Sequence, residues 1–199
     1  DYRRSSEKVG PTIADDIKVS AIYAIGFSLL IIFLYILVRF KNWQFGLGAV
    51  VALIHDALIV LGIFSLLYGR MPFSLEIDQA FIAAILTVVG YSINDTVIVF
   101  DRIREYLGLY KKRTRKEILN SALNSTLGRT FNTSLSTFVV LLTIFLFGGE
   151  VIRGFIFALM VGIVVGTYSS LFIATPIVYD TVGKVDETER ILKGKRRIE

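Results

Sequence analysis

The sequence predicts an all-α membrane protein of five transmembrane helices, with an additional amphipathic helix on the cytoplasmic face. Three observations carry that expectation. Of 199 residues, 54% are hydrophobic, and the mean hydropathy is +0.64, both above the range of ordinary soluble domains. The apolar residues fall into five blocks, about 19–38, 43–67, 79–100, 130–147 and 154–179, each close to the roughly 20 residues a helix needs to cross a bilayer core. The charges, 20% of the chain, are gathered between those blocks.

The basic residues set the orientation. Segments 39–42, 101–129 and 180–199 hold two, eight and six Lys or Arg, against one each, Arg70 and Arg153, in 68–78 and 148–153. The N-terminus is therefore expected outside and the C-terminus in the cytoplasm. The second block is long enough to tilt, and Pro176 lies near the end of the last, where a break is tolerated. The first apolar block is span-length and follows eighteen polar-leaning residues, so no secretory signal is read. With no initiating Met, the chain is expected to begin inside a longer polypeptide.

Composition also excludes chemistry. There is no Cys and only one His, His55, which removes disulfides, thiolate metal sites and paired-histidine zinc motifs. No glycine-rich phosphate loop is present, no cofactor is implied, and the net charge of +5 is accounted for by cytoplasmic loops rather than nucleic acid. Neither features nor motifs of an enzyme stand out.

In the long basic loop, Thr114 and Glu117 form a capping box, and Leu119, Leu123 and Leu127 recur at helical spacing before Gly128. This predicts an amphipathic helix over 115–127 lying on the membrane face, with the basic run 111–116 suited to anionic headgroups. A solvated basic loop is the competing interpretation. In the last span, Gly154, Ala158, Gly162, Gly166, Ser170 and Ala174 fall at every fourth position. Such a stripe lets helix backbones approach closely in lipid, so this span is expected to pack against another helix.

Polar residues inside spans are the candidates for function, because each is expensive to insert. The second block carries His55 and Asp56. The third carries Tyr91, Ser92, Asn94, Asp95 and Thr96. The fourth begins with Arg129, followed by Asn132, Thr133, Ser134, Ser136 and Thr137. At about 1.5 Å per residue, Asp95 lies about 24 Å from the outer end of its span and Arg129 about 28 Å from the outer end of its own, within about one turn of the same level. Asp56 lies about 18 Å below the outer end of the second block, near mid-membrane. Desolvation raises a carboxyl pKa and a nearby guanidinium lowers it, so an Asp with a mobile cationic neighbour can load and release a proton. A permanent Asp–Arg pair that locks two spans together remains the alternative, and His55 and Asp56 can equally serve to bond neighbouring helices. An intramembrane aspartyl protease using Asp56 and Asp95 is chemically conceivable, but the flanking residues resemble no such enzyme.

The run Gly90-Tyr91-Ser92-Ile93-Asn94-Asp95-Thr96-Val97-Ile98-Val99-Phe100-Asp101-Arg102-Ile103-Arg104-Glu105 resembles the fourth transmembrane segment of the SecF family. Three further segments resemble that family: Val9-Gly10-Pro11 the end of its extracytoplasmic domain, His55-Asp56 its third span, and Thr126-Leu127-Gly128-Arg129-Thr130 the start of its fifth. The resemblance implies half of a resistance–nodulation–division transport unit, lacking the first span and the extracytoplasmic domain, either as separate SecF or as part of a SecDF fusion. Residues 1–18 would then be the end of that domain or a linker, 19–179 the transmembrane domain and 180–199 a cytoplasmic tail.

By the same resemblance, the chain would work in the bacterial inner membrane beside SecD and the SecYEG channel. It would use proton or sodium flow to draw preproteins outward. Asp95 and Arg129 would be the ion-coupling residues, with His55, Asp56, Ser92, Asn94 and Thr96 as a supporting polar pathway. An exporter of small molecules or lipids, and an architectural membrane subunit, are the alternatives.

Overall fold

The computed structural model describes residues 11–110 and 112–182, with side chains from residue 19 onward. The expected end of an extracytoplasmic domain and most of the cytoplasmic tail therefore lie outside the described residues. Five long helices follow in order: α1 Pro11–Phe40, α2 Trp43–Leu67, α3 Gln79–Leu109, α4 Arg115–Phe147 and α5 Glu150–Ser169. A π-helical turn, Ser170–Ala174, continues α5, and the helical run ends at Val182. All five are long and apolar enough to cross a membrane. The chain is a multi-pass membrane protein.

The links α1–α2, α3–α4 and α4–α5 are short, as expected for neighbouring antiparallel helices, and the α2–α3 link, 68–78, is longer. Between α2 and α3 the chain reverses through Gly69, whose φ of +70° suits a residue without a Cβ. The Asp78 side chain then caps α3, accepting from the Phe81 N–H at 2.8 Å, which satisfies one of the helix's free donors. At the start of α4 both bonds of the capping box form: Thr114 N–H donates to Glu117 Oε2 at 3.0 Å, and Glu117 N–H to Thr114 Oγ1 at 3.3 Å.

Here the structure departs from expectation. Residues 115–127 are helical, but they are the first turns of one helix that runs to Phe147, and Gly128 lies within it rather than ending it. Ile118, Leu119 and Ala122 are buried against the bundle, while Leu127 is 42% exposed. A mid-helix Gly is disfavoured by only about 1 kcal/mol, and burial of Ile118 and Leu119 alone offsets more than that. Amides 118–127 are accordingly expected to exchange slowly, together with those after residue 130. Fast exchange confined to 115–127 would show that the helix breaks at Gly128.

Apolar side chains gather into two clusters, one at each end of the bundle. At the end bearing the basic loop, Phe40, Phe45 and Phe100 pack with ring centroids 5.0 to 5.9 Å apart, joined by Ile103, Ile118 and Val178. At the opposite end, Phe64 and Phe81, 4.5 Å apart, pack with Val88, Ile156 and Ile163. Between the two clusters lies a layer of buried polar groups drawn from α2, α3, α4, α5 and the π turn. Apolar residues of α2, α3, α4 and the run from α5 through the π turn flank that layer on both sides.

The small-residue stripe faces into the bundle. Ala158, Ser170 and Ala174 are fully buried. A Cβ on Gly162 would collide with the Val88 side chain of α3, and one on Gly166 would come within 3.0 Å of Ser92 Cβ and Oγ. Gly154 instead lies against the carbonyl of Ser74 in the α2–α3 loop. Close α3–α5 approach at Gly162 and Gly166 is what brings Ser170 of the π turn within reach of Thr96 on α3.

Candidate functional site

The polar layer contains two carboxylates, and their surroundings differ. Asp56 of α2 is fully buried. Its Oδ2 accepts from Ser92 Oγ of α3 at 2.6 Å and from Ser169 Oγ at the end of α5 at 2.8 Å. The Nδ1 of half-buried His55 lies 3.2 Å from Oδ1. The two hydroxyl bonds are short, and the His55 contact is longer. Asp56 is thus well solvated by the protein and ties three helices together.

Asp95 of α3 is 1% exposed but poorly served. Its Oδ2 has one neighbour, Ser134 Oγ of α4, at 3.3 Å. Its Oδ1 is buried with no hydrogen-bond partner. Leaving a buried charged group unpaired is among the more expensive arrangements in a protein interior. Arg129 of α4 is exposed and forms no ion pair with Asp95 among the described residues, yet lies close enough to act on the carboxylate electrostatically. The two share a level without being locked.

Hydroxyls fill the space around the acids. Ser134 Oγ also lies 2.6 Å from Thr167 Oγ1 of α5, and Thr167 Oγ1 lies 2.8 Å from the Ile163 carbonyl oxygen. Thr96 Oγ1 and Ser170 Oγ are 2.8 Å apart, joining α3 to the π turn. Tyr91 donates to the Thr133 carbonyl at 3.2 Å, bracing α3 against α4 one turn away. The π turn has a local cause. Pro176 has no N–H, and its ring crowds the carbonyl four residues back, at Phe172. Widening the helix over Ser170–Ala174 relieves that crowding, and π turns of this kind frequently accompany functional sites.

Of the candidate pathway residues, Asp56, Ser92, Asp95 and Thr96 are buried together in this layer. Asn94 is not: it lies on the exposed face of α3, with no hydrogen bond among the described residues. Ser134, Thr167 and Ser169 belong to the layer without having been singled out as site residues. Their signal was faint, because Ser and Thr in membrane helices commonly bond their own backbone, as Thr87 does to the Ala83 carbonyl at 2.8 Å.

The chain matches the family described as protein export membrane protein SecD/SecF, C-terminal, over residues 2–184. It belongs to that family. The chain is 58% identical over 183 residues to the protein translocase subunit SecF of Rhodothermus marinus, covering 92% of this chain and 59% of that protein. It is 47% identical to SecF of Cereibacter sphaeroides over 87% of this chain and 52% of the relative. It therefore spans little more than half the length of these SecF relatives. A crystal structure of SecDF in a super-membrane-facing form superposes with a TM-score of 0.72 at 38% identity, over 92% of this chain and 24% of that one. The five-helix bundle is thus a SecD/SecF-type membrane domain, of the resistance–nodulation–division kind.

Proposed function

We propose that this chain is the membrane domain of a SecF-type subunit of the Sec export machinery, and that Asp95 couples ion flow to outward movement of preproteins. One observation carries the mechanistic part: Asp95 is buried between α3 and α4 with one carboxylate oxygen unpaired. Of the two acids in the layer, it is the one whose surroundings stabilise its charge least. Arg129, near but not bonded, is free to approach or withdraw and so to alternate the preferred charge state of the carboxyl. Proton binding at Asp95 then alternates with proton release as the helices move. Asp56, held by two hydroxyls and His55, acts as a fixed anchor of α2 against α3 and α5.

In this proposal residues 19–179 form the transmembrane domain in the bacterial inner membrane. The N-terminal side is extracytoplasmic, and the basic loop and tail are cytoplasmic. SecD supplies the other half of the transport unit, and SecYEG delivers the preprotein. The SecD/SecF family match and the likeness to SecDF support the pairing with SecD.

The test uses inverted membrane vesicles from cells depleted of the full-length protein. Translocation of a preprotein is measured with and without an imposed proton gradient. Supplying the full-length protein with its SecD partner is expected to restore a gradient-dependent component of transport. Equal transport with and without the protein, at every gradient, would refute the proposal.

A further inference from the structure

Asp95, Ser134, Thr167 and the Ile163 carbonyl form a line of four oxygens with three links, of 3.3, 2.6 and 2.8 Å. The line crosses from α3 through α4 to α5. Each hydroxyl carries a single hydrogen. When Asp95 is ionised, Ser134 and Thr167 supply two hydrogens for three links, so one link must go unmade. When Asp95 is protonated, three hydrogens serve three links and the line closes.

We propose that Ser134 and Thr167 are positioning residues that register the protonation state of Asp95 and pass it to α5. The proposal rests on the reading of Asp95 as the ion-coupling group. In the protonated state Asp95 donates to Ser134, Ser134 to Thr167, and Thr167 to the Ile163 carbonyl. In the ionised state the carboxylate takes the Ser134 hydrogen, since a charged acceptor competes best. Ser134 then accepts from Thr167, which gives up the Ile163 carbonyl. That carbonyl is not orphaned, because it also serves the helix's own backbone. No covalent bond to either hydroxyl is made or broken; only the O–H directions reverse, and the exchanged proton enters and leaves at Asp95.

Loss of one proton thus frees the Thr167 hydroxyl from the Ile163 carbonyl of its own helix, while its link to Ser134 of α4 persists with the direction reversed, next to the stretch where Gly166 presses on Ser92 and where the π turn begins. Other titratable groups border the line. Arg129 of α4 acts on the Asp95 carboxylate electrostatically, Asp56 of α2 lies by Gly166 with His55 beside it, and Tyr91 is one turn along α3. From α5 the neighbours are hydroxyls and Tyr168, whose ring centre lies 6.4 Å from that of His55.

The test is infrared difference spectroscopy of the full-length protein assembled with its SecD partner, titrated in pH, with the Asp95 carboxyl band assigned by its loss in Asp95→Asn. Thr167→Val removes the hydroxyl that competes with Asp95 for the Ser134 hydrogen and breaks the closed line of the protonated state, which favours the carboxylate. The midpoint is expected to fall below that of the parent. Ser134→Ala removes the carboxylate's one hydrogen-bond donor, and the midpoint is expected to rise. Thr167→Ser keeps the hydroxyl and is expected to titrate like the parent. Shifts of the same sign in Thr167→Val and Ser134→Ala, or Thr167→Val behaving like Thr167→Ser, would overturn the relay while leaving Asp95 as the coupling group. A parent protein in which no titrating band disappears with Asp95→Asn would overturn both.

Discussion

Replacing Asp95 by Asn in the full-length protein is expected to abolish gradient-driven preprotein translocation while leaving folding and assembly with SecD intact. Asn keeps the size of Asp and can still accept from Ser134 Oγ, now 3.3 Å from Oδ2. It cannot exchange a proton. It also replaces a carboxylate whose Oδ1 has no partner by a neutral amide, so stability should be unchanged or slightly higher. The combination is what discriminates: a residue that merely locked α3 to α4 would weaken the fold when neutralised and leave gradient coupling untouched. Translocation into inverted vesicles, with and without a proton gradient, reads the first property, and thermal unfolding in detergent reads the second. Arg129→Met is expected to uncouple as well, because it deletes the cation that biases Asp95. Since Arg129 is exposed and makes no ion pair with Asp95 among the described residues, its loss should cost little stability within this chain. A parental response to the gradient in Asp95→Asn would leave Asp95 as a structural residue.

Much of this arrangement is legible in the sequence because the bilayer imposes strict rules. Span length, the alternation of basic loops and the cost of polar groups in hydrocarbon suffice to locate the five helices and to single out Asp56 and Asp95. The second block, read as 43–67, is α2 to the residue. Helix ends beyond the hydrocarbon are less constrained, so α3 runs on to Leu109 where composition suggested a stop near residue 100. Gly128 misled for a similar reason. Its local preference is weak, and the burial of flanking residues in one bundle overrides it. Depth arithmetic brings Asp95 and Arg129 to one level but carries no information about azimuth. A span's rotation decides whether two side chains meet, and here Arg129 and Asn94 are exposed while Asp95 is buried. Ser169 and Thr167 escaped notice because a hydroxyl in a membrane helix has a default partner in its own backbone. Only the three-dimensional approach of α5 to α2, α3 and α4 reveals the second partner.

That approach depends on Gly162, and enlarging it is the change expected to destabilise the bundle most. Even a single Cβ there would stand 2.7 Å from Val88 Cγ1 and 3.0 Å from Val88 Cβ, with Cγ2 nearer still. Val88 has little freedom to move away, being a β-branched residue with one preferred rotamer in a helix and 1% exposed within the apolar cluster. Gly162→Leu must therefore push α5 from α3, at a cost of about 3 kcal/mol or more. In lipid no hydrophobic effect compensates for lost packing between helices. The displacement would also carry Thr167, Ser169 and Ser170 away from Ser134, Asp56 and Thr96, so coupling should fail along with stability. Gly62→Leu is the matched control: a Cβ at Gly62 meets nothing within 4 Å, although it adds the same bulk to a membrane helix. Thermal unfolding of both variants in detergent separates the cases. Gly162→Leu is expected to unfold well below the parent and Gly62→Leu close to it, and equal stability of the two would mean that the α3–α5 seam is looser than these contacts require.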